Sequence, residues 1–506
     1  MTNNVRDNSE VNADITLLTN KLIARYLIKH KYESTFNKFI TETGLSQKMV
    51  LNEDFNEMED RLGYHTEDLE TMVSERVQFK AYKKSVATST CSTENGSLGT
   101  VNDEQNVLNK ISLPHWKYDR RPVISTDLSS KINSLVIAVF SDENFLIVST
   151  SNRKIYIYSI DHENTAKAGN YHLLQEIKTT SVVKFIQKID TTSDNGEKKT
   201  LFLFCELDGN ITVIKNFAPD LEYKSVKLDK NIRMISTFLI FVDAENELMC
   251  LVSCLNKTVK AFQIKMNESE IKCNLIRELN LLTNCSTINI VQPKKEEEEE
   301  EEEKEKGKSS GDNNLLIYLT RLESTQIYVY DLKFVLKYKI SLNNAQFSTH
   351  SFTVTDLIFF NTKDDNTAVA KVNNITIIKP QTKMLISTSH VPYMRLLLVE
   401  ATANNLDSLS SDIPIYYNMI LENFKTEIYQ DSFSTNMLVW DSDCNGCLLG
   451  CDSGLYSIDL SNRCEVVPLT SNTENIKSRV KSLYYDDSNN RILVSYANKE
   501  LYVLSS

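Results

Sequence analysis

Long apolar runs are missing from this chain. The longest, around Ile235 to Val242, falls far short of the roughly 20 residues a membrane-crossing helix needs, so none is expected. The first residues are polar and no apolar stretch leads to a small-residue cleavage site, so no secretory signal is expected. Glycine is scarce, at 12 of 506 residues, and the glycine-built motifs that cradle phosphate, bind dinucleotides or expose a nucleophilic serine do not occur. Positive charge is in deficit: 56 Lys and Arg against 68 Asp and Glu leave a net charge of -12. A long basic face for nucleic acid or an anionic membrane is therefore not expected.

Metal and catalytic constellations are equally thin. The seven histidines are dispersed, with no HExxH and no helical metal-ligand spacing. Cys444 and Cys447 have zinc-knuckle spacing, with Cys451 nearby, but no second pair follows. Asn445-Gly446 between them is a hairpin-turn signal, so two cysteines flanking a hairpin is the better reading. Paired acids at Asp364-Asp365 and Asp486-Asp487 fall where strand turns favour aspartate. No metal, cofactor or catalytic residue is expected. Ten scattered cysteines without a secretory signal fit reduced thiols and a protein of the nucleus, the cytoplasm or both.

What the chain does contain starts with a short helical pair. Residues 1–14 are polar and read as disordered. From Ile15 the apolar spacing turns helical through Leu18, Leu22, Ile23, Tyr26 and Leu27, and cations at Lys29 and Lys31 suit the helix end. A second helix starts near Glu33 or Ser34, with Phe36, Phe39 and Ile40 on one face and Gly44 as its cap. Two short helices cannot bury these side chains within one hairpin, so a partner surface is expected, either another chain or the chain's own β domain. Residues 47–86 extend the module, with a third helix expected over Glu67 to Lys84 and an apolar stripe of Leu69, Met72, Val73 and Val77. Residues 87–113 are rich in Ser, Thr, Asn and Gly and read as a flexible linker.

The pattern Leu18, Leu22, Ile23, Tyr26, Leu27, Tyr32, Phe36, Phe39, Glu42 resembles the lissencephaly homology (LisH) motif. Ile23-Ala-Arg-Tyr26-Leu27 matches its core, Tyr32 its turn aromatic and Glu42 its terminal acid. The family's usual glycine before that aromatic is Lys31 here, and Phe36 stands where a smaller residue is common. The resemblance covers residues 15–46 and implies dimerisation, with the chain itself or with another LisH protein.

From residue 114 to 506 the helical period disappears. Runs rich in β-branched and aromatic residues alternate with Asn, Asp, Gly and Ser, and they recur as units of strand, turn, strand, turn, strand, loop, strand. Openings fall near Ile132, Val182, Arg233, Thr287, Phe352, Met394, Asn436 and Arg479. Their spacing runs from about 41 to about 65 residues, around the period of a propeller blade plus insertions. The fourth strands read YHLLQEI, YKSVKL, CNLIREL, FVLKYKI, KMLIST, KTEIYQ and CEVVPL. The last unit lacks one, and RRPVISTDL ahead of the first is a spare strand able to complete it, which would close the ring and remove its edges. The array resembles a divergent WD-repeat (WD40-like) β-propeller, with eight blades favoured and seven the alternative. The resemblance lies in the pattern, since Trp440-Asp441 falls at the end of a first strand and not a third.

Two local features have competing readings. The eight glutamates Glu296 to Glu303 sit in an acidic insertion loop, residues 293–313, between the first two strands of the fourth unit; a solvated insertion is the default and a decoy for basic partners the sharper reading. Lys117, Arg120 and Arg121 with Trp116 and Tyr118 form a basic-aromatic cluster that either anchors the closing strand or grips an acidic group. Families that pair LisH with a propeller include corepressor subunits, dynein regulators and ubiquitin-ligase subunits. The resemblance implies a non-enzymatic scaffold of a multiprotein complex, self-associating, with protein subunits as partners and no membrane or direct nucleic acid. The favoured eight blades make a nuclear, chromatin-linked corepressor-type complex the first expectation, with a ubiquitin ligase the alternative. An enzyme using the propeller channel would need acids, histidines or metal ligands on innermost strands that read LVIAVF, VVKFIQ and SLYYD.

Overall fold

The computed structural model describes residues 20, 23–45, 113, 123–161, 171–192, 198–217, 222–243, 245–266, 270–294, 315–343, 352–362, 368–401, 414–416, 419–431, 434–442, 445–461, 464–469 and 478–505. The chain divides into two compact units, residues 1–101 and 102–506. In the first, α1 (23–29) and α2 (Glu33–Thr43) form a hairpin. The expected disordered start, the third helix and the basic-aromatic cluster lie outside the described residues, as does the linker up to residue 112.

The second unit is a closed β-propeller. Its first strand, β1 (Val123–Asp127), stands apart from the blade that follows it in sequence. Blade 1 holds β2 (Val136–Ser141), β3 (Phe145–Thr150), β4 (Lys154–Ile160) and β5 (Tyr171–Lys178). Blade 2 holds β6 (Val183–Thr192), β7 (Lys198–Glu206), β8 (Asn210–Asn216) and β9 (Glu222–Lys227). Blade 3 holds β10 (Ile235–Val242), β11 (Leu248–Cys254), β12 (Thr258–Met266) and β13 (Ile271–Asn280). Blade 4 is built on β14 (Cys285–Pro293), β15 (Leu316–Arg321), β16 (Gln326–Asp331) and β17 (Leu336–Ser341).

Blade 5 begins with β18 (Val354–Asn361). The chain then leaves it for two short strands, β19 (Lys371–Val372) and β20 (Ile375–Ile378), and returns in β21 (Thr382–Thr388) and β22 (Tyr393–Glu400). It leaves again for β23 (Ile415–Tyr416) and finishes the blade with β24 (Ile420–Tyr429). Blade 6 holds β25 (Met437–Asp441), β26 (Gly446–Cys451), β27 (Gly454–Asp459) and β28 (Glu465–Pro468). Blade 7 holds β29 (Val480–Asp486), β30 (Arg491–Tyr496) and β31 (Leu501–Ser505), and β1 completes it. The closing strand pairs antiparallel with β31, from Val123 opposite Ser505 to Asp127 opposite Tyr502. The first strands neighbour one another in the cyclic order β2, β6, β10, β14, β18, β25, β29 and back to β2.

Seven blades replace the eight favoured from spacing. The opening at Met394 is the third strand of blade 5, and KMLIST is its second strand and not a fourth. The first strands of blades 5 and 6 begin at Val354 and Met437, about two blade periods apart, so the stretch reads as two units in sequence. Its surplus strands went to blade 4. β20 pairs parallel with β14 on the inner edge of that blade, and β23 pairs parallel with β17 on its outer edge.

The core lies between blades. Each of seven apolar clusters joins one pair of neighbours. Phe140 and Ile157 of blade 1 meet Phe202 and Phe204 of blade 2, and Leu128 and Ile132 with blade 1 meet Leu493 and Val503 of blade 7. Burial is deepest in the second strands and least in the outermost ones. Every residue of β26 is buried, whereas the outermost β13 exposes most of its length. This is why the middle strands read as continuous apolar runs and the outer ones as mixed. Leu113, the last residue of the expected linker, packs against the cluster between blades 5 and 6.

A second repeat was not read from the sequence. Six of the seven first strands carry a bulge near their start, as between Val136 and Ala138 in β2. In most blades a small hydroxyl residue near the end of the second strand meets the bulge. Ala138 N donates to Ser149 Oγ at 3.1 Å, Ser236 and Ser253 share a hydroxyl contact, Thr287 N donates to Thr320 Oγ1 at 3.2 Å, and Thr355 bonds Ser387 at 2.8 Å. Its signal is visible in retrospect: FLIVST, LMCLVSC, LIYLTR and TKMLIST each place Ser or Thr after an apolar run.

The tight turns impose a local rule of their own. Gly209, between β7 and β8, has φ +88, and a Cβ there would stand 2.8 Å from Ile232 Cγ2. Gly209→Ala is expected to lower stability by about 2–3 kcal/mol, from backbone strain plus overpacking, read as a fall in the urea midpoint.

Candidate functional site

Ligands of propellers are sought first in the central channel, which the first strands line. Here the channel holds part of the chain itself. β19 and β20 form a hairpin whose turn, Asn373-Asn374, has positive φ at both residues (49 and 64). That is the geometry a two-residue hairpin loop demands, and asparagine tolerates it. β20 extends blade 4 on its channel edge, from Ile290 opposite Ile375 to Pro293 opposite Ile378. The tip crosses to blades 2 and 3. Asn373 Oδ1 accepts from Asp190 N at 3.0 Å, and Asn374 Nδ2 donates to Ile240 O at 2.9 Å and Lys188 O at 3.4 Å.

Several other groups of the first strands are engaged across blade boundaries. Lys184 Nζ donates to Ser236 O at 2.8 Å, Gln187 Nε2 donates to Phe238 O at 3.2 Å, and Gln187 Oε1 accepts from Ile240 N at 2.8 Å. Ser141 Oγ donates to Asp486 Oδ2 at 2.5 Å, and Lys188 lies 3.2 Å from Asp142. Asp486 also accepts from Ser488 N and Asn489 N, so the pair Asp486-Asp487 does the turn work expected of it and ties blade 7 to blade 1. Asp356 joins blades 5 and 6: Oδ1 accepts from Leu357 N and Oδ2 from Leu438 N, both at 2.8 Å. Burial pushes its carboxyl up to about 6, against those two bonds and the charge of Lys371 on the channel hairpin. These groups fasten strands together.

The cysteines are structural as well. The eight described cysteines are free thiols, and Cys447 and Cys451 are buried on β26. Burial pushes the Cys447 thiol up, away from the reactive thiolate. Cys444 lies outside the described residues. Glu296 to Glu303 also lie outside them, but the connection that carries them joins β14 to β15, the first two strands of the fourth blade.

Among the described residues the helical hairpin of the first unit has a small core: Ala24, Phe36 and Leu45 are buried, with Leu27, Ile28, Phe39 and Ile40 partly so. Ile23 and Tyr26 are half-buried, Glu42 is exposed, and Tyr32 is 52% exposed. Leu18 and Leu22 lie outside the described residues. Between the helices Lys31 N donates to Ile28 O and Tyr32 N to Leu27 O, both at 2.9 Å, while Lys31 has φ 60. This is the Schellman ending of α1, with a lysine where glycine is preferred. Gly44 ends α2 with φ 68, as its position in the sequence predicts. Lys31→Gly removes the Cβ penalty and is expected to stabilise the hairpin by about 1 kcal/mol, slowing amide exchange in α2 about fivefold.

The comparisons with known proteins bear on the second unit. The family model described as "UCP007778, beta-propeller domain" matches residues 99–505. The chain belongs to this family. A relative from Saccharomyces cerevisiae (strain ATCC 204508 / S288c), printed as "Uncharacterized protein YGR117C", is 26% identical over 508 residues, covering 98% of each chain. That likeness runs through the helical hairpin as well as the propeller. Among the described residues of this family member, no helix is long and apolar enough to cross a membrane.

Proposed function

We propose that the protein is a non-enzymatic scaffold that joins two chains through its N-terminal hairpin and holds protein partners on its propeller. The observation that carries this reading is the small core of the hairpin. Among the described residues three side chains are buried, too few to stabilise two short helices alone, and the apolar residues around them remain half-exposed. A second, LisH-type hairpin would cover Leu27, Phe39 and Tyr32. Pairing two propellers raises avidity for a partner with repeated sites without any new contact. The channel supports the same reading, since several of its polar groups fasten strands and its space holds the chain's own hairpin.

The corepressor-type expectation drew on a count of eight blades. Seven blades remove that support, and the proposal stops at a scaffold of a multiprotein complex. Light scattering on the full chain is expected to give twice 57.9 kDa. A chain starting at residue 110 is expected to be monomeric. A monomeric full-length chain would sink the self-association.

A further inference from the structure

The two ends of the propeller differ. One carries the connections from first to second strands and from third to fourth, and the acidic run and the channel hairpin both arise there. The opposite end carries the turns between second and third strands and those between successive blades. On this end the exposed large apolar residues concentrate in blades 3, 4 and 5. Met234 and Leu255 adjoin, with Leu255 N donating to Met234 O at 3.2 Å. Leu282 and Leu322 follow, their turns joined by the Leu322 N bond to Asn284 O and the Thr283 hydroxyl bond to Leu322 O. Val391, Tyr393 and Tyr429 continue the arc on blade 5, where Gln430 N donates to Pro392 O. All seven are between 40% and 66% exposed.

Burial at blade interfaces does not require these residues to be apolar. Turn tips at the same end of blades 1 and 2 carry polar side chains, at Ser151-Asn152-Arg153 and at Asp208. At the blade 3 end of the arc the exposed charges have one sign. Lys230, Arg233 and Lys257 are exposed at its blade 3 end, and none of the three side chains enters an ion pair among the described residues. Asp229 in the same turn is already held by Lys260 at 2.8 Å, and Glu323 is the exposed acid at the blade 4 turn. A cationic end on a chain of net charge -12 runs against the overall balance.

We infer that this arc is a docking surface for an extended segment of a partner protein, with large apolar side chains along blades 4 and 5 and acidic residues over Lys230, Arg233 and Lys257. The inference rests on the scaffold reading and names the partner's chemistry. An anionic bilayer fits the same residues less well. Three cations fall short of the four to eight that a membrane-binding cluster uses, and the net charge of the chain opposes it.

The test is selection of short random peptides on the full-length chain. Selected peptides are expected to combine Phe, Leu or Trp with Asp or Glu. The double variant Leu282→Ser, Leu322→Ser is expected to weaken them about tenfold or more, as loss of apolar anchors does. Arg233→Glu with Lys257→Glu should weaken them about as much and steepen the loss with salt. Leu173→Ser with Leu174→Ser, on the outer edge of blade 1, should leave binding unchanged. All six positions are exposed, and an unchanged thermal transition verifies that each variant folds. No selected peptide, peptides indifferent to the arc variants, or arc-dependent binding to phosphatidylserine vesicles without peptide binding each overturns the inference. The oligomer mass is measured separately, so failure here and failure of the scaffold's self-association are distinguishable.

Discussion

A chain that begins at residue 129 is expected to lose its cooperative unfolding transition. Its first 128 residues include β1, which supplies the outermost strand of blade 7 along the register Val123 to Asp127. They also include Leu128, fully buried between blades 7 and 1, whose N donates to Leu501 O at 3.0 Å. Without them β31 becomes an open edge, and this seam of the ring is fastened by the packing of blade 1 on blade 7, chiefly β2 against β29 and β30. Burial of one such leucine contributes about 1.5–3 kcal/mol, and each lost ladder bond about 0.5–1.5 kcal/mol. The sum, about 5 kcal/mol, is comparable to the whole stability of an ordinary domain. Thermal unfolding of the truncated chain should be broad and early, and a peptide of residues 114–132 added in trans should restore part of the transition. A chain beginning at residue 110 serves as the control. An unchanged midpoint in the 129 truncation would show that the closing strand does not hold the ring.

The second large effect is a pH dependence set by Asp356. Its carboxyl ordinarily titrates near 3.8 and is raised to about 6 in the folded protein, chiefly by burial. Between those values the folded state holds a proton that the unfolded state has released. Stability therefore falls as pH rises from about 4 to about 6, and is level on either side. A shift of about two units corresponds to about 3 kcal/mol for this one group. Asp356→Asn is expected to flatten that segment of the stability curve. It keeps one acceptor for Leu357 N or Leu438 N and turns an amide toward the other, so its stability at pH 4 falls below that of the parent. Urea midpoints at closely spaced pH values give the comparison. Parallel curves for parent and variant would remove Asp356 from the account.

The architecture was largely legible before any coordinates. Alternating and continuous apolar runs identified most strands, because the strand period is short and burial at the blade interfaces forces β-branched and aromatic residues into them. The spare strand ahead of blade 1 was legible because an unmatched fourth strand at the other end called for it. The start of α2, and Gly44 as its cap, followed from local backbone chemistry.

Blade 5 shows where such reading stops. Ile375 to Ile378 and Ile415-Tyr416 have strand composition, and composition does not say which sheet will take a strand. Both joined blade 4, one on each edge, and a spacing of two periods then holds one blade. The channel hairpin was illegible for the same reason. Its Asn373-Asn374 turn is a local signal, but its partners at Asp190, Lys188 and Ile240 lie more than a hundred residues away. No local signal marks Asp356, because its second backbone donor, Leu438 N, comes only with the approach of β25, and burial there raises its carboxyl.

The sequence by itself determined the β class, the closing strand and the helical hairpin, since each follows from periodicity or from chemistry within a few residues. Tertiary structure alone decided the number of blades, the filling of the channel and the gathering of turn residues into an apolar arc with a cationic end. Those features depend on which distant segments meet, and free energies of packing between blades, not local propensity, choose among the pairings.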